Sequence, residues 1–160
     1  MKNIFLKNLE IKNCILLIAL VLIDQISKNY LIAHLPEYNY NITLTSFLDI
    51  KYAWNYGISF GLFDGAGRYG NIFFGILNSL ILSYLFYLAQ TSDDKLEKYA
   101  YIIISAGAIG NLIDRAIHGA VFDFILIHYG DLRFAIFNFA DSFVSFGVFL
   151  AIIANYYNKK

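Results

Sequence analysis

Four long apolar segments constrain this chain more than any other feature of its sequence. They run from about residue 14 to 35, 71 to 89, 99 to 117 and 137 to 157, and each has close to the roughly 20 apolar residues that a helix needs to cross about 30 Å of hydrocarbon. Of the 160 residues, 59% are hydrophobic and 15% are charged, whereas soluble domains have about 45–50% and about 25%. We therefore predict an all-α polytopic membrane protein, with four transmembrane helices in a single domain over residues 1–160.

The charge balance, the single cysteine and the spacing of the histidines and serines exclude several classes of function. The 12 basic and 12 acidic residues cancel, so the composition gives no indication of nucleic-acid binding. A single cysteine, Cys14, excludes an internal disulfide and a multi-cysteine metal site. The three histidines lack the HExxH spacing, and no serine lies in a GxSxG motif. We therefore expect no metal and no cofactor.

The distribution of cations predicts the orientation in the membrane. Seven of the twelve lie in the N-terminal arm, the second connection and the C-terminal tail: Lys2, Lys7, Lys12, Lys95, Lys98, Lys159 and Lys160. Short cytoplasmic segments carry such an excess of Lys and Arg. Both termini are therefore expected in the cytoplasm, and the two longer connections outside.

The first outer connection, residues 36–70, has two different halves. Apolar and polar side chains alternate from Ile42 to Trp54, which is the pattern of a strand with one buried face, so we expect one or two strands on the membrane surface. Residues 57–70 contain five glycines and three aromatic residues. This composition predicts a flexible interfacial segment that acts as a lid, although an inert connector with aromatic anchors explains it equally well.

Ionisable residues inside the apolar segments need a partner or a purpose, because a charge in hydrocarbon costs about 2.5–3.5 kcal/mol even on insertion scales. Asp24 and Lys28 are four residues apart and so share a helix face, where they can pair. A buried ion pair that holds helices together is a sufficient explanation for them. Asn111, Asp114 and Arg115 lie in the third segment. We expect Arg115 to compensate Asp114 near the negative end of the helix, and a structural hydrogen-bond cluster explains these three at least as well as catalysis.

Asp123 and Asp141 differ from these residues. Asp123 lies in an apolar stretch without an adjacent cation, and Asp141 follows Asn138 by three residues in the first turns of the fourth segment. The topology puts both at the outer ends of their segments, so they can meet. Two carboxylates in a dry pocket share a proton, which permits one to accept a proton from water and the other to donate to a carbonyl oxygen. From the residues alone, a membrane hydrolase, a proton-coupled carrier and a packing subunit all stay open.

Five blocks resemble, in order, the motifs of the bacterial lipoprotein signal peptidase family, also called signal peptidase II. They are residues 24–28 (DQISK), 55–60 (NYGISF), 107–115 (GAIGNLIDR), 121–124 (VFDF) and 137–141 (FNFAD). The visible departure is Ala106, where the family often has glycine. The resemblance extends from the first apolar segment into the fourth.

This resemblance implies a membrane aspartic endopeptidase of the bacterial inner membrane. Such an enzyme removes signal peptides from prolipoproteins by cutting just before a diacylglyceryl-modified cysteine. It implies Asp123 and Asp141 as the catalytic pair. It also implies supporting or substrate-binding roles for Asp24, Lys28, Asn55, Gly57, Asn111, Asp114, Arg115 and Asn138. The same resemblance implies an active site near the outer face, a small extracytoplasmic β-sheet and an interfacial helix. It also implies inhibition by cyclic peptide antibiotics of the globomycin type.

Overall fold

A computed structural model of the chain describes residues 10–57, 67–130 and 132–158. Four helices account for most of them: α1 (Ile11–His34), α2 (Gly67–Thr91), α3 (Lys95–His118) and α4 (Phe139–Asn158). All four are long and apolar enough to cross a membrane, which confirms the prediction of four helices that could span one. The helix ends lie within four residues of the predicted ones, and only α4 begins later than expected.

Helix α3 is the centre of the bundle, and each of the other three helices packs against it. Its start is capped by Asp94, whose side chain accepts a hydrogen bond from the backbone N–H of Glu97. Small residues allow the close packing. A Cβ on Gly107 would overlap the backbone carbonyl of Ala140 in α4, and one on Gly110 would overlap the carboxylate of Asp24 in α1.

Four antiparallel strands form one sheet beside the bundle. They are β1 (Asn41–Thr45), β2 (Leu48–Asn55), β3 (Val121–Tyr129) and β4 (Leu132–Phe137), in the order β1-β2-β3-β4. Strands β1 and β2 lie in the connection between α1 and α2, where one or two strands were predicted, but all eight residues of β2 are partly buried, so the expected division into a buried and an exposed face is absent there. The all-α class is too narrow, however, because β3 and β4 fill the connection between α3 and α4. Residues 121–124 are buried on both faces of the sheet, so β3 has no alternating pattern there to reveal it.

The sheet is attached to the helices by a small apolar core. A short 3₁₀ helix, Leu35–Tyr38, continues from α1, and its buried Leu35 packs with Phe122 and Phe124 of β3. This core fixes the start of β3 at the ends of the helices, where the candidate site lies. Most of the predicted glycine-rich lid, residues 58–66, falls outside the described residues, as do the lysines of the N-terminal arm up to residue 9 and of the tail at 159–160.

Candidate functional site

Strand pairing brings Asp123 and Asn55 together. In the antiparallel register of β2 and β3, Ala53 lies opposite Asp123 and Asn55 lies opposite Val121. The side chain of Asn55 reaches Asp123, and its Nδ2 donates to Asp123 Oδ2 at 3.0 Å. Asp123 is only 4% exposed. The sheet therefore holds this carboxyl group in a buried position at the ends of the helices.

Asn138 connects Asp123 to Asp141. Asn138 immediately precedes α4, and it forms a reciprocal capping box with Asp141: Asp141 N donates to Asn138 Oδ1 at 2.9 Å, and Asn138 N donates to Asp141 Oδ2 at 3.1 Å. The side-chain Nδ2 of Asn138 donates to Asp123 Oδ1 at 2.7 Å. One fully buried asparagine thus contacts both carboxylates. The topology predicted that the two aspartates would lie close together.

The two carboxylates line a common cavity, which we call the dyad cavity. It has a volume of about 180 Å³ and is lined also by Asn55, Gly57, Phe74, Asn78, Asn111, Arg115 and Val121. A water molecule occupies about 30 Å³ in the liquid. The cavity can therefore hold a water molecule together with a small part of a ligand.

Burial changes the protonation of Asp123. Loss of hydration, together with the negative charge of Asp141, raises the pKa of Asp123 from 3.8 to about 7, and the hydrogen bonds from Asn55 and Asn138 only partly oppose this shift. Asp123 therefore keeps a proton up to neutral pH. The carboxylate of Asp141 lies in the first turn of α4, where it accepts the hydrogen bond from the backbone N–H of Asn138.

A second polar cluster lies next to the cavity, between α1 and α3. Lys28 Nζ lies 2.8 Å from Asp24 Oδ2, 2.8 Å from Asp114 Oδ2 and 3.1 Å from Asn111 Oδ1. The ion pair expected from the spacing of Asp24 and Lys28 is present. Asn111 belongs to both groups, because its Nδ2 donates to Asp141 Oδ1 at 2.8 Å. The cluster therefore connects the helix bundle to the dyad cavity.

The expected compensation of Asp114 by Arg115 acts through space, as an attraction between the two charges. The cation beside Asp114 is Lys28, while Nη2 of Arg115 donates to the carbonyl oxygen of Gly57 at 3.0 Å. Adjacent residues of a helix point in different directions, so the two side chains do not face each other. Gly57 is held from its other side as well, since its N–H donates to Asn55 Oδ1 at 3.1 Å.

Sequence reasoning missed two residues at the site. Phe74 and Asn78 of α2 line the dyad cavity. Gln25 donates to Asp114 Oδ1 at 2.9 Å and to the carbonyl oxygen of Gly110 at 3.1 Å. Asn78 could have been predicted as a site residue from the sequence, because an amide side chain inside an apolar segment needs a partner. Within the described ranges, no group of three or more His, Cys, Asp or Glu side chains could hold a metal ion.

Comparison with known proteins identifies the family. The signal peptidase (SPase) II family matches residues 16–157. The lipoprotein signal peptidase of Rickettsia bellii is 46% identical over 146 residues, which are 91% of this chain and 74% of that protein. The lipoprotein signal peptidase of Rickettsia felis is 45% identical over the same length, with the same coverage.

Two solved structures support the same assignment. A bacterial membrane enzyme determined by the in meso method at 2.3 Å resolution has a TM-score of 0.82 and 31% identity, covering 96% of this chain and 93% of that one. A second, determined at 1.9 Å, has a TM-score of 0.77 and 33% identity, covering 92% and 94%. Since the family match and these relatives extend over nearly the whole chain, the chain belongs to the signal peptidase II family of lipoprotein signal peptidases.

Proposed function

We propose that this member of the signal peptidase II family cleaves its substrate with Asp123 and Asp141 as the catalytic pair. Membership makes the chain an aspartic peptidase that removes signal peptides from prolipoproteins in a bacterial membrane. The observation that supports the choice of these two aspartates is that both line the 180 Å³ cavity and both are hydrogen-bonded to Asn138.

The pair can carry out hydrolysis with one shared proton. Asp141, ionised at the start of α4, accepts a proton from a water molecule, whose oxygen attacks the scissile carbonyl carbon. Asp123 gives its proton to the carbonyl oxygen, which forms a neutral tetrahedral diol. In the second step Asp141 returns its proton to the amide nitrogen as the C–N bond breaks, and Asp123 takes a proton from one hydroxyl group. Both aspartates are then in their starting states.

The neighbouring side chains are assigned supporting roles. Asn55 and Asn138 orient Asp123, and Asn111 orients Asp141. Arg115 fixes the carbonyl group of Gly57 at the cavity wall, where a substrate backbone would lie. The ion cluster of Asp24, Lys28 and Asp114 holds α1 against α3 beneath the pair.

The substrate we propose is a prolipoprotein with a diacylglyceryl-modified cysteine, cut just before that cysteine. Its apolar signal helix would enter from the bilayer, so membrane anchoring supplies much of the affinity, at about 0.8 kcal/mol per buried CH₂. We also propose one membrane-embedded domain over residues 1–160, cytoplasmic termini, an active site near the outer face of the inner membrane, and an interfacial helix within residues 57–70. Cyclic peptides of the globomycin type would act as inhibitors, and no metal, cofactor or nucleic acid would take part.

Substitution in proteoliposomes with a diacylated prolipoprotein tests the pair. Asp123→Asn and Asp141→Asn should each abolish cleavage while the protein stays folded. The matched control is Asp93→Asn, which removes an exposed carboxylate and should keep parental activity. Turnover above background in either dyad variant would refute the assignment. Treatment with EDTA should leave the rate unchanged, and a loss that zinc or magnesium restores would indicate a metal enzyme instead.

A further inference from the structure

A second cavity lies between α2 and α3 and reaches the dyad cavity at one residue. This α2–α3 groove has a volume of about 430 Å³, and its walls include Gly75, Ser79 and Ser83 of α2 and Leu112 of α3. Arg115 lines both the groove and the dyad cavity. The groove and the candidate active site therefore share Arg115 as part of their walls, although the groove lies along a different face of α2.

Unpartnered polar atoms meet at the end of the groove that adjoins the dyad cavity. Nε and Nη1 of Arg115 are buried and have no hydrogen-bond partner in the part of the chain that the structure describes, and the same holds for Oδ1 of Asn71. Arg115 is only 8% exposed. Buried donors that lack partners are costly. A ligand that brings two acceptors for Arg115 and a donor for Asn71 would remove this cost.

The length of the groove indicates what else the ligand contains. Its lining on α2 extends from Asn71 to Ser83, which is about 18 Å at a rise of 1.5 Å per residue. Half the hydrocarbon thickness of a bilayer is about 15 Å. The groove is thus about as long as an acyl chain that extends through one leaflet.

We propose that the α2–α3 groove binds an acyl chain of the diacylglyceryl group of the substrate, with the ester carbonyl oxygens accepting hydrogen bonds from Arg115. This inference rests on the proposed function. The diacylglyceryl-modified cysteine carries both groups that the groove lacks: ester carbonyls for Nε and Nη1 of Arg115, and a peptide N–H for Oδ1 of Asn71. Binding there would place the modified cysteine next to the dyad cavity.

The dimensions of the groove favour a single acyl chain, rather than the signal helix of the substrate, as its occupant. A volume of about 430 Å³ spread over about 18 Å gives an average cross-section of about 24 Å², whereas a helix 10 Å across occupies about 80 Å². The polar end of the groove also adjoins the dyad, so the chain that enters must be attached close to the scissile bond.

Filling the groove tests the proposal. A Cβ on Gly75 would have no atom within 4 Å, so Gly75→Leu and Ser79→Leu should fill the groove without displacing the backbone. The matched control is Leu77→Phe, which adds bulk to α2 at a side chain outside both cavities. In proteoliposomes we expect KM for a diacylated prolipoprotein to rise at least about tenfold in the filled variants, with kcat and thermal stability near parental values. Values of KM within about twofold of the control would overturn the proposal.

Photolabelling identifies the occupant independently of turnover. The full chain carrying Asp141→Asn is mixed with a prolipoprotein that has a diazirine in the middle of one acyl chain. We expect adducts on residues 75–83 and 112–116, and their loss in Gly75→Leu. Adducts confined to the surface around Leu77, or groove labelling by a diazirine in the signal helix, would overturn the proposal. Equal labelling by a photoreactive phospholipid that substrate does not displace would also overturn it. If the parental chain cleaves nothing, the proposed function fails, while the adduct pattern still decides where the acyl chain binds.

Discussion

The raised pKa of Asp123 predicts that the stability of a variant without this carboxyl group, relative to the parent, rises with pH. The perturbation is Asp123→Asn, which keeps the size of the side chain but cannot ionise. In the folded chain the carboxyl group titrates at about 7, and its ordinary value is 3.8. Between these two pH values the folded chain keeps a proton that the unfolded chain has released. The free energy of unfolding of the parent therefore falls as pH rises through this range and levels off above about pH 7.

The size of the effect follows from the shift. Each pH unit in this range lowers the free energy of unfolding by about 1.4 kcal/mol, and the range from pH 5 to pH 8 contains about two such units. The stability of Asp123→Asn relative to the parent should therefore rise by up to about 3 kcal/mol over that range. The new amide cannot accept hydrogen bonds from Asn55 and Asn138 at both of its ends. That penalty is the same at every pH and does not affect the slope.

Unfolding by SDS in detergent micelles measures the difference. Trp54, the one tryptophan of the sequence, contacts the ring of Phe122 next to Asp123, so its fluorescence reports on this part of the sheet. Contributions from groups that both proteins share cancel in the difference. The trend is read relative to Asp93→Asn. A difference between Asp123→Asn and the parent that stays flat or falls from pH 5 to pH 8 would refute the reasoning.

Three further predictions concern the residues around the pair. Lys28→Met should lower the free energy of unfolding by about 3–5 kcal/mol, because it leaves both carboxylates of the cluster buried without a cation. Asp24→Asn should cost less, since Lys28 keeps its other carboxylate; equal losses in thermal unfolding would contradict this order. Gly107→Val should lower the melting temperature, because a side chain there overlaps the carbonyl of Ala140. Asn138→Ala should cost about 1 kcal/mol from the lost cap and reduce kcat strongly, whereas Asn138→Ser should restore the stability but not the rate.

The parts of the fold that depend on local spacing could be predicted from the sequence. The spans follow from the length of the apolar segments, and the contact of Asp24 with Lys28 follows from helix geometry. The proximity of Asp123 and Asp141 required only the topology, because the end of one span and the start of the next lie at the same membrane level. Their hydrogen bonds to Asn138 are consistent with that reasoning.

The remaining features depend on tertiary contacts that no local pattern encodes. The first four residues of β3 are buried on both faces, so no alternation of apolar and polar residues marks the strand that contains Asp123. The partner of Asp114 lies on another helix, and its identity depends on how α1 packs against α3. The α2–α3 groove likewise depends on the rotation of α2 about its axis, which places Gly75 and Ser79 beside α3.

The ion cluster and the aspartate pair are connected by an amide, and this arrangement has an electrostatic reason. Lys28 contacts Asn111 Oδ1, and Asn111 Nδ2 contacts Asp141. If the ammonium group touched the pair directly, its charge would favour the loss of the shared proton, and neither carboxyl group could act as an acid at neutral pH. Two carboxylates of the cluster instead neutralise Lys28, and its charge affects the pKa of Asp123 less than burial, Asp141 and the hydrogen bonds from Asn55 and Asn138 do. Asn111 thus fixes the position of Asp141 relative to the helices, while the charge of Lys28 does not contact the aspartate pair.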